Sequence, residues 1–241
     1  MTPVLVGTGL SKRYGDLRVL GDVDFVVDPG EAVGIVGPNG AGKTTLLSVL
    51  AGSVAPSAGT VRLDGYDITK LGPALRCRRG IARAFQIPRP FGRMTVLENV
   101  VVGAAYGAGT SGRAAYRRCV QVLETCGLVD LANRPAEDLG LLSRKRLELA
   151  RALATGPRVL LLDEIGSGLT DAEAEQLLAT ITGLRESGTS IVWIEHIVHI
   201  LVRVVDRLVC MDAGRVIADG EPAAVLNDAL VVDAYLGKAG R

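Results

Sequence analysis

The chain has 241 residues, enough for one large domain, or a domain with a small subdomain, around a substantial core. Its net charge of +1 leaves no basic footprint, which argues against nucleic acid as a main partner. Apolar residues make up 48% of the chain, yet its best candidate span, 191–211, contains Glu195, His196, Arg203, Asp206 and Arg207, and so reads as a buried strand followed by an amphipathic helix.

Taken in order, residues 4–12 and 19–27 alternate as strands and close at Pro29-Gly30. The apolar, β-branched run Ala32–Val36 predicts a buried strand, and 44–51 predicts a helix. A strand over 59–63 ends at the turn Asp64-Gly65. Residues 73–79 start a short helix, because proline suits a first turn, and 80–85 is strand-like. The segment 87–94 holds two prolines, a glycine and two arginines and reads as a loop. Three helical patterns follow at Val96–Tyr106, 112–126 and 143–155. Residues 158–162 and Ser190–Ile194 are apolar runs of the kind buried on both faces of a parallel sheet, with a helix Asp171–Glu186 between them, capped by Thr170 or Asp171. A hairpin over 208–212 and 215–218 and a helical segment around 225–236 complete the pattern. The four cysteines, Cys77, Cys119, Cys126 and Cys210, show neither C-x-x-C nor zinc spacing and read as reduced cytosolic thiols.

Between the strand Ala32–Val36 and the helix 44–51 stands Gly37-Pro38-Asn39-Gly40-Ala41-Gly42-Lys43-Thr44-Thr45, which fits the phosphate-binding pattern G-x-x-x-x-G-K-[ST]. Glycines let backbone N–H groups curl around an anion, where side chains would block the approach. Lys43 supplies a compact charge for β- and γ-phosphates, and the Thr44 hydroxyl is a ligand for Mg²⁺. A helix N-terminus aimed at the phosphates adds its dipole. Downstream, the apolar run 159–162 ends in two carboxylates. Beside a phosphate loop, Asp163 suits holding Mg²⁺ directly or through water, and Glu164 suits polarising the attacking water. A GTPase is disfavoured, since no Asn-Lys-x-Asp motif for reading the base is present.

With these landmarks in order, the chain resembles an ABC-transporter ATPase subunit over nearly its whole length, and most resembles those of importers for branched-chain and other hydrophobic amino acids. The resemblance rests on 37–45, Gln86, 139–153, Asp163-Glu164 and His196, on Gly80-Ile81-Ala82-Arg83-Ala84-Phe85-Gln86, and on the ending Val232-Asp233-Ala234-Tyr235-Leu236-Gly237. It implies an α/β P-loop NTPase fold of the ABC-ATPase type, with a mixed sheet core, an antiparallel β subdomain and a helical subdomain. On that reading residues 1–87 and 156–241 form the nucleotide-binding core and 88–155 the helical subdomain of a single ATPase domain. By resemblance, Tyr14 stacks on adenine, Gln86 senses Mg²⁺ and water, and His196 contacts the γ-phosphate. ATP and Mg²⁺ are the implied ligands. The implied partners are a second ABC ATPase subunit, in a heterodimer or a homodimer, and integral-membrane permeases at the cytoplasmic face of the cell membrane. Phe91 and Met94, flanked by Arg89 and Arg93, are candidate anchors for the permease.

The chain departs from the family at its signature, usually Leu-Ser-Gly-Gly-Gln. Aligned on Arg146-Leu147-Glu148, the corresponding residues are Leu139-Gly140-Leu141-Leu142-Ser143, so a serine hydroxyl becomes Gly140 and a glycine becomes Leu142. One hydrogen bond to a charged group, worth roughly 1.5–3 kcal/mol, is lost there and bulk is gained. Ile165 stands where a proline commonly follows the catalytic Glu, and Gly168-Leu169-Thr170 lacks an acidic residue found in many relatives. The contrast of intact Glu164 and His196 with an altered signature favours a heterodimer. A nucleotide-binding regulatory module that does not hydrolyse is the alternative, and Glu164 and His196 argue against it.

Overall fold

The computed structural model of the chain describes residues 2–236. Strands β1 (Leu5–Tyr14) and β2 (Leu17–Val27) form a hairpin, and β3 (Ala32–Val36) leads through the glycine-rich loop into α1 (Lys43–Ala51). Then come β4 (Ala58–Leu63), β5 (Tyr66–Asp67), α2 (Pro73–Arg78) and β6 (Ile81–Ala84). Three helices, α3 (Val96–Tyr106), α4 (Gly112–Thr125) and α5 (Leu141–Ala154), intervene before β7 (Val159–Asp163). The chain continues through α6 (Asp171–Glu186), β8 (Ser190–Ile194), the single turn α7 (Val198–Leu201) and the hairpin β9 (Arg207–Asp212) and β10 (Arg215–Gly220). It closes with α8 (Pro222–Leu226) and α9 (Ala229–Leu236).

Two sheets organise the fold. One is antiparallel in the order β2-β1-β4-β5; the other has the order β10-β9-β3-β8-β7-β6, with β9 through β6 parallel and β10 antiparallel at the edge. In the larger sheet, strand alternation divides the core in two. Val36, Leu160, Leu162, Ile191 and Trp193 pack on the face that also receives buried residues of α3 to α6. Val33, Ile35, Leu161, Val192 and Ile194 pack on the other, with α1 and the antiparallel sheet. Burial on both faces is why these strands read as unbroken apolar runs.

Local chemistry sets the ends of the helices. Thr95 and Thr170 each form a reciprocal capping box, with Glu98 and Glu173 respectively, satisfying first-turn donors of α3 and α6. The C-terminus of α1 is capped from a distance: buried Arg76 donates to the carbonyls of Val49 (2.7 Å) and Leu50 (2.8 Å), and also to Leu71 and Thr69. A guanidinium there complements the negative end of the helix dipole.

The structure corrects three expectations. The segment 225–236 is two helices, because Asn227 and Asp228 turn the chain: the Asp228 carboxylate accepts from Leu230 N–H at 2.8 Å and starts α9. The amphipathic helix expected after Ile194 is only the turn α7, since Asp206 N–H already pairs with the Ala32 carbonyl at 2.8 Å and the chain must enter β9. Helix α5 starts at Leu141 rather than 143, with Arg144 N–H bonded to the Gly140 carbonyl. Gly237, the last residue of the tail resemblance, lies outside the described residues.

Candidate nucleotide site

Parallel register assembles the site. Ala84 pairs with Leu162, Asp163 with Ile194, and Ile35 with Ile194, so β3, β6, β7 and β8 end along one edge of the sheet. Ligands of open α/β sheets bind at that carboxyl edge. Residues just past the strand ends, Gln86, Glu164, His196 and the loop 37–45, therefore meet there.

The loop fits a polyphosphate. Gly37 has φ 141° and a Cβ there would lie 2.1 Å from the Met211 carbonyl oxygen; Gly42 has φ 100° and its Cβ would lie 2.8 Å from the Val19 carbonyl oxygen. Only glycine takes those conformations in that space. Pro38 is half-buried, Ala41 is buried, and Asn39, Gly40 and Thr44 are exposed at the mouth. Residues 39–45, Val19 and Glu164 line a pocket of about 190 Å³. The first N–H groups of α1, from Lys43, Thr44 and Thr45, have no partner within the helix and open to it. Buried Lys43 donates through Nζ to the carbonyls of Gly37 (2.6 Å) and Pro38 (3.1 Å). Burial pulls its pKa down, while Glu164, Cys210 and Asp163 push it up.

Glu164 stands at the centre of the edge. Its backbone is left-handed, φ 48°, and its N–H bonds the Ile194 carbonyl at 2.9 Å. Such a conformation costs about 1–2 kcal/mol in a residue with a Cβ. One carboxylate oxygen accepts from Gln86 Nε2 at 2.7 Å, and the other lies 2.8 Å from His196 Nε2. Asp163, one residue earlier and buried, pairs with Arg83. Among the described residues no group of three or more His, Cys, Asp or Glu side chains is placed to hold a metal.

Tyr14 stands apart. It ends β1, half exposed, with the Lys12 ammonium 4.9 Å from its ring centroid, and it is not among the residues lining the pocket.

Several residues that hold the edge together escape sequence reasoning. Buried Lys145, on α5, donates to the Gln86 carbonyl at 2.7 Å. Buried Glu195 accepts from Gly166 N–H at 2.7 Å, tying the segment after Glu164 to the segment before His196; burial pushes its pKa up. The Tyr235 hydroxyl accepts from Gly37 N–H at 2.8 Å, so the tail touches the start of the loop. A lysine, a glutamate and a tyrosine at these positions carry no local signal of those contacts.

At the altered signature, the bulk falls on a different residue from the one expected. Leu142 is half-buried and packs against the core, whereas Leu141 is 44% exposed. Both leucines lie in the first turn of α5, which begins two residues earlier than expected. A second groove, of about 380 Å³, lies between α2 and β6 on one side and α3 and α5 on the other. Phe85, Cys77, Val102 and Tyr106 line it; neither Phe91 nor Met94 does. Those two are exposed on the neighbouring loop, where Phe91 packs against the Arg151 guanidinium and buried Asn99 holds its backbone on both sides.

Residues 20–167 match the family model described as ABC transporter. The chain belongs to the ABC transporter family. A second model, described as branched-chain amino acid ATP-binding cassette transporter, matches residues 215–241 of this ABC ATPase. It is 36% identical to the high-affinity branched-chain amino acid transport ATP-binding protein BraF of Pseudomonas aeruginosa, over 98% of this chain and 99% of that one. It is similar to a solved ATP-binding cassette of an ABC transporter in its ADP conformation, with TM-score 0.90 and 31% identity over 98% of this chain and 100% of the other. It is also similar to a dimeric cassette in a post-hydrolysis state bound to ADP and Pi, with TM-score 0.80 and 25% identity over 90% of this chain and 98% of the other. The fold and the recognition of an ATP-binding transport subunit hold, and the family is one of ATPases.

Proposed function

We propose that this ABC ATPase powers a membrane importer for branched-chain or related amino acids. The observation that supports this most directly is the branched-chain cassette match over 215–241, in a chain whose edge joins Gln86, Glu164 and His196. Lys43 and the α1 N-terminus hold the triphosphate, and Tyr14 stacks on adenine. Thr44, Asp163 and Gln86 hold Mg²⁺, which offsets phosphate charge when bound. Glu164 orients and polarises the attacking water, and His196 donates toward the γ-phosphate. The Gln86 and His196 contacts keep the Glu164 carboxylate from rotating.

The fold over 88–155 acts as a helical subdomain, and residues 1–87 with 156–241 act as the core. Two ATPase subunits close on ATP, each presenting the N-terminus of its α5 to the other's nucleotide. With Gly140 and exposed Leu141 at that surface, a heterodimer is favoured: this chain's catalytic residues pair with a partner's better signature. Permeases seat in the groove beside Phe85 and Tyr106, with Phe91 and Met94 at its margin, which keeps the chain peripheral at the cytoplasmic face of the membrane. Among the described residues no helix is long and apolar enough to cross a membrane.

Reconstitution with its permeases in proteoliposomes tests the reading. ATP-dependent uptake of leucine, isoleucine or valine, lost in Glu164→Gln, supports it. Uptake of none of these in a vesicle that hydrolyses ATP would remove the substrate assignment.

A further inference from the structure

Arg83 is the residue of the site for which the phosphate-loop chemistry offers no role. It lies on β6 opposite Leu161 of β7, with a side chain only 10% exposed. One arm of its guanidinium, Nη2, donates to Asp163 Oδ2 at 2.5 Å, and the other, Nη1, donates to Ser48 Oγ at 3.1 Å. The Ser48 hydroxyl in turn donates to the Thr44 carbonyl at 2.7 Å. A single planar cation therefore touches Asp163 directly and Thr44 through one intermediary. The Phe85 ring lies 4.8 Å from the guanidinium carbon and covers it. The two arms reach two different residues, so one cation links Asp163 to α1.

We propose that Arg83 is a positioning residue that sets how tightly the site holds magnesium. It occupies one oxygen of Asp163, leaves Oδ1 for the shell of the cation, and offsets the carboxylate's charge. It also steadies the first turn of α1, which carries Thr44. A cation entering beside Asp163 meets a carboxylate already paired with a guanidinium, and is held more loosely than an unpaired Asp163 would hold it. Loose holding suits a site that must exchange its cation with each nucleotide. The proposal rests on reading Thr44 and Asp163 as the magnesium-holding pair.

The test titrates Mg²⁺ into the purified chain with a fluorescent ATP analogue and reads nucleotide binding, with a parallel series in chelator. In Arg83→Gln the Mg²⁺ concentration at half-saturation falls by about threefold or more, because the carboxylate is left unpaired. Arg83→Lys keeps the charge and stays within about twofold of the unaltered chain, and binding in chelator changes little in either. Arg83→Met, also neutral, repeats the measurement if the Gln variant does not fold. An unchanged or raised midpoint in the neutral variants overturns the proposal. So does loss of nucleotide binding in both of them, with and without Mg²⁺, which assigns Arg83 to folding alone. Failure of the unaltered chain to bind nucleotide at all would instead fail the reading of the site.

Discussion

His196 Nε2 lies 2.8 Å from Glu164 Oε1, although the two residues follow different strands. The register of β7 against β8 sets Asp163 beside Ile194 and so makes this contact. With Gln86 on the other oxygen, Glu164 is held at both ends. His196→Ala should lower turnover by about 10²–10³, the typical cost of a lost electrostatic donor, while ATP affinity changes only a few-fold. A matched loss of binding in the same titration would make His196 a binding residue instead.

The exposed residue at the opening of α5 should limit pairing with the partner's nucleotide. Leu141→Gly is expected to raise ATPase activity of the assembled complex by more than about twofold, by clearing space where N–H groups face phosphate. Leu142→Gly, which strips a half-buried side chain from the edge of the core and puts glycine in a helix, is expected to cost about 1–3 kcal/mol of stability in a urea melt. Equal effects of the two on activity would contradict the orientation argument.

Arg76 is a structural prediction. Its guanidinium satisfies carbonyls of Val49, Leu50, Thr69 and Leu71 in the interior. Arg76→Met removes that donor from all four, leaving Val49 only its bond from Gly52 N–H, and about 3 kcal/mol or more of stability should be lost. A urea midpoint that does not move would show that water or a local shift replaces the arginine.

Thiol chemistry offers a test of the groove. Burial pushes Cys126 up to about 12 and Cys210 up to about 11, and raises Cys119 as well, so these thiols stay protonated and shielded at pH 8. Half-buried Cys77 lines the groove beside Phe85. An alkylating reagent should therefore modify Cys77 first in the folded chain, and bound permease should protect it. Labelling of Cys77 at the same rate in the assembled complex would move the permease elsewhere.

Much of the fold is legible because its signals are local. The strands Ala32–Val36 and Ser190–Ile194 and the helices Val96–Tyr106 and Asp171–Glu186 begin and end where their apolar runs and caps do. Gln86 and His196 are pointed to only by the family resemblance; that they meet Glu164 follows from parallel register, since each closely follows a strand. What is not legible depends on long-range geometry. Whether Leu141 or Leu142 faces out turns on a two-residue difference in where α5 begins, and Leu is as good at either position. Arg83, Lys145 and Tyr235 meet their partners across the fold, so nothing in their own neighbourhoods announces them. The break at Asn227-Asp228 is a side-chain hydrogen bond overriding an otherwise helical pattern.

The central claim is that this chain hydrolyses ATP with Glu164 as the residue that activates water. The most direct measurement is Mg-ATP hydrolysis by the chain assembled with its permeases and partner ATPase, beside Glu164→Gln, with nucleotide binding measured separately. Turnover in the Gln complex should fall about 10²-fold or more while ATP stays bound, the loss expected when a general base is removed. Tight ATP binding without turnover in the unaltered complex would contradict the claim, as would a Glu164→Gln complex that hydrolyses at the unaltered rate.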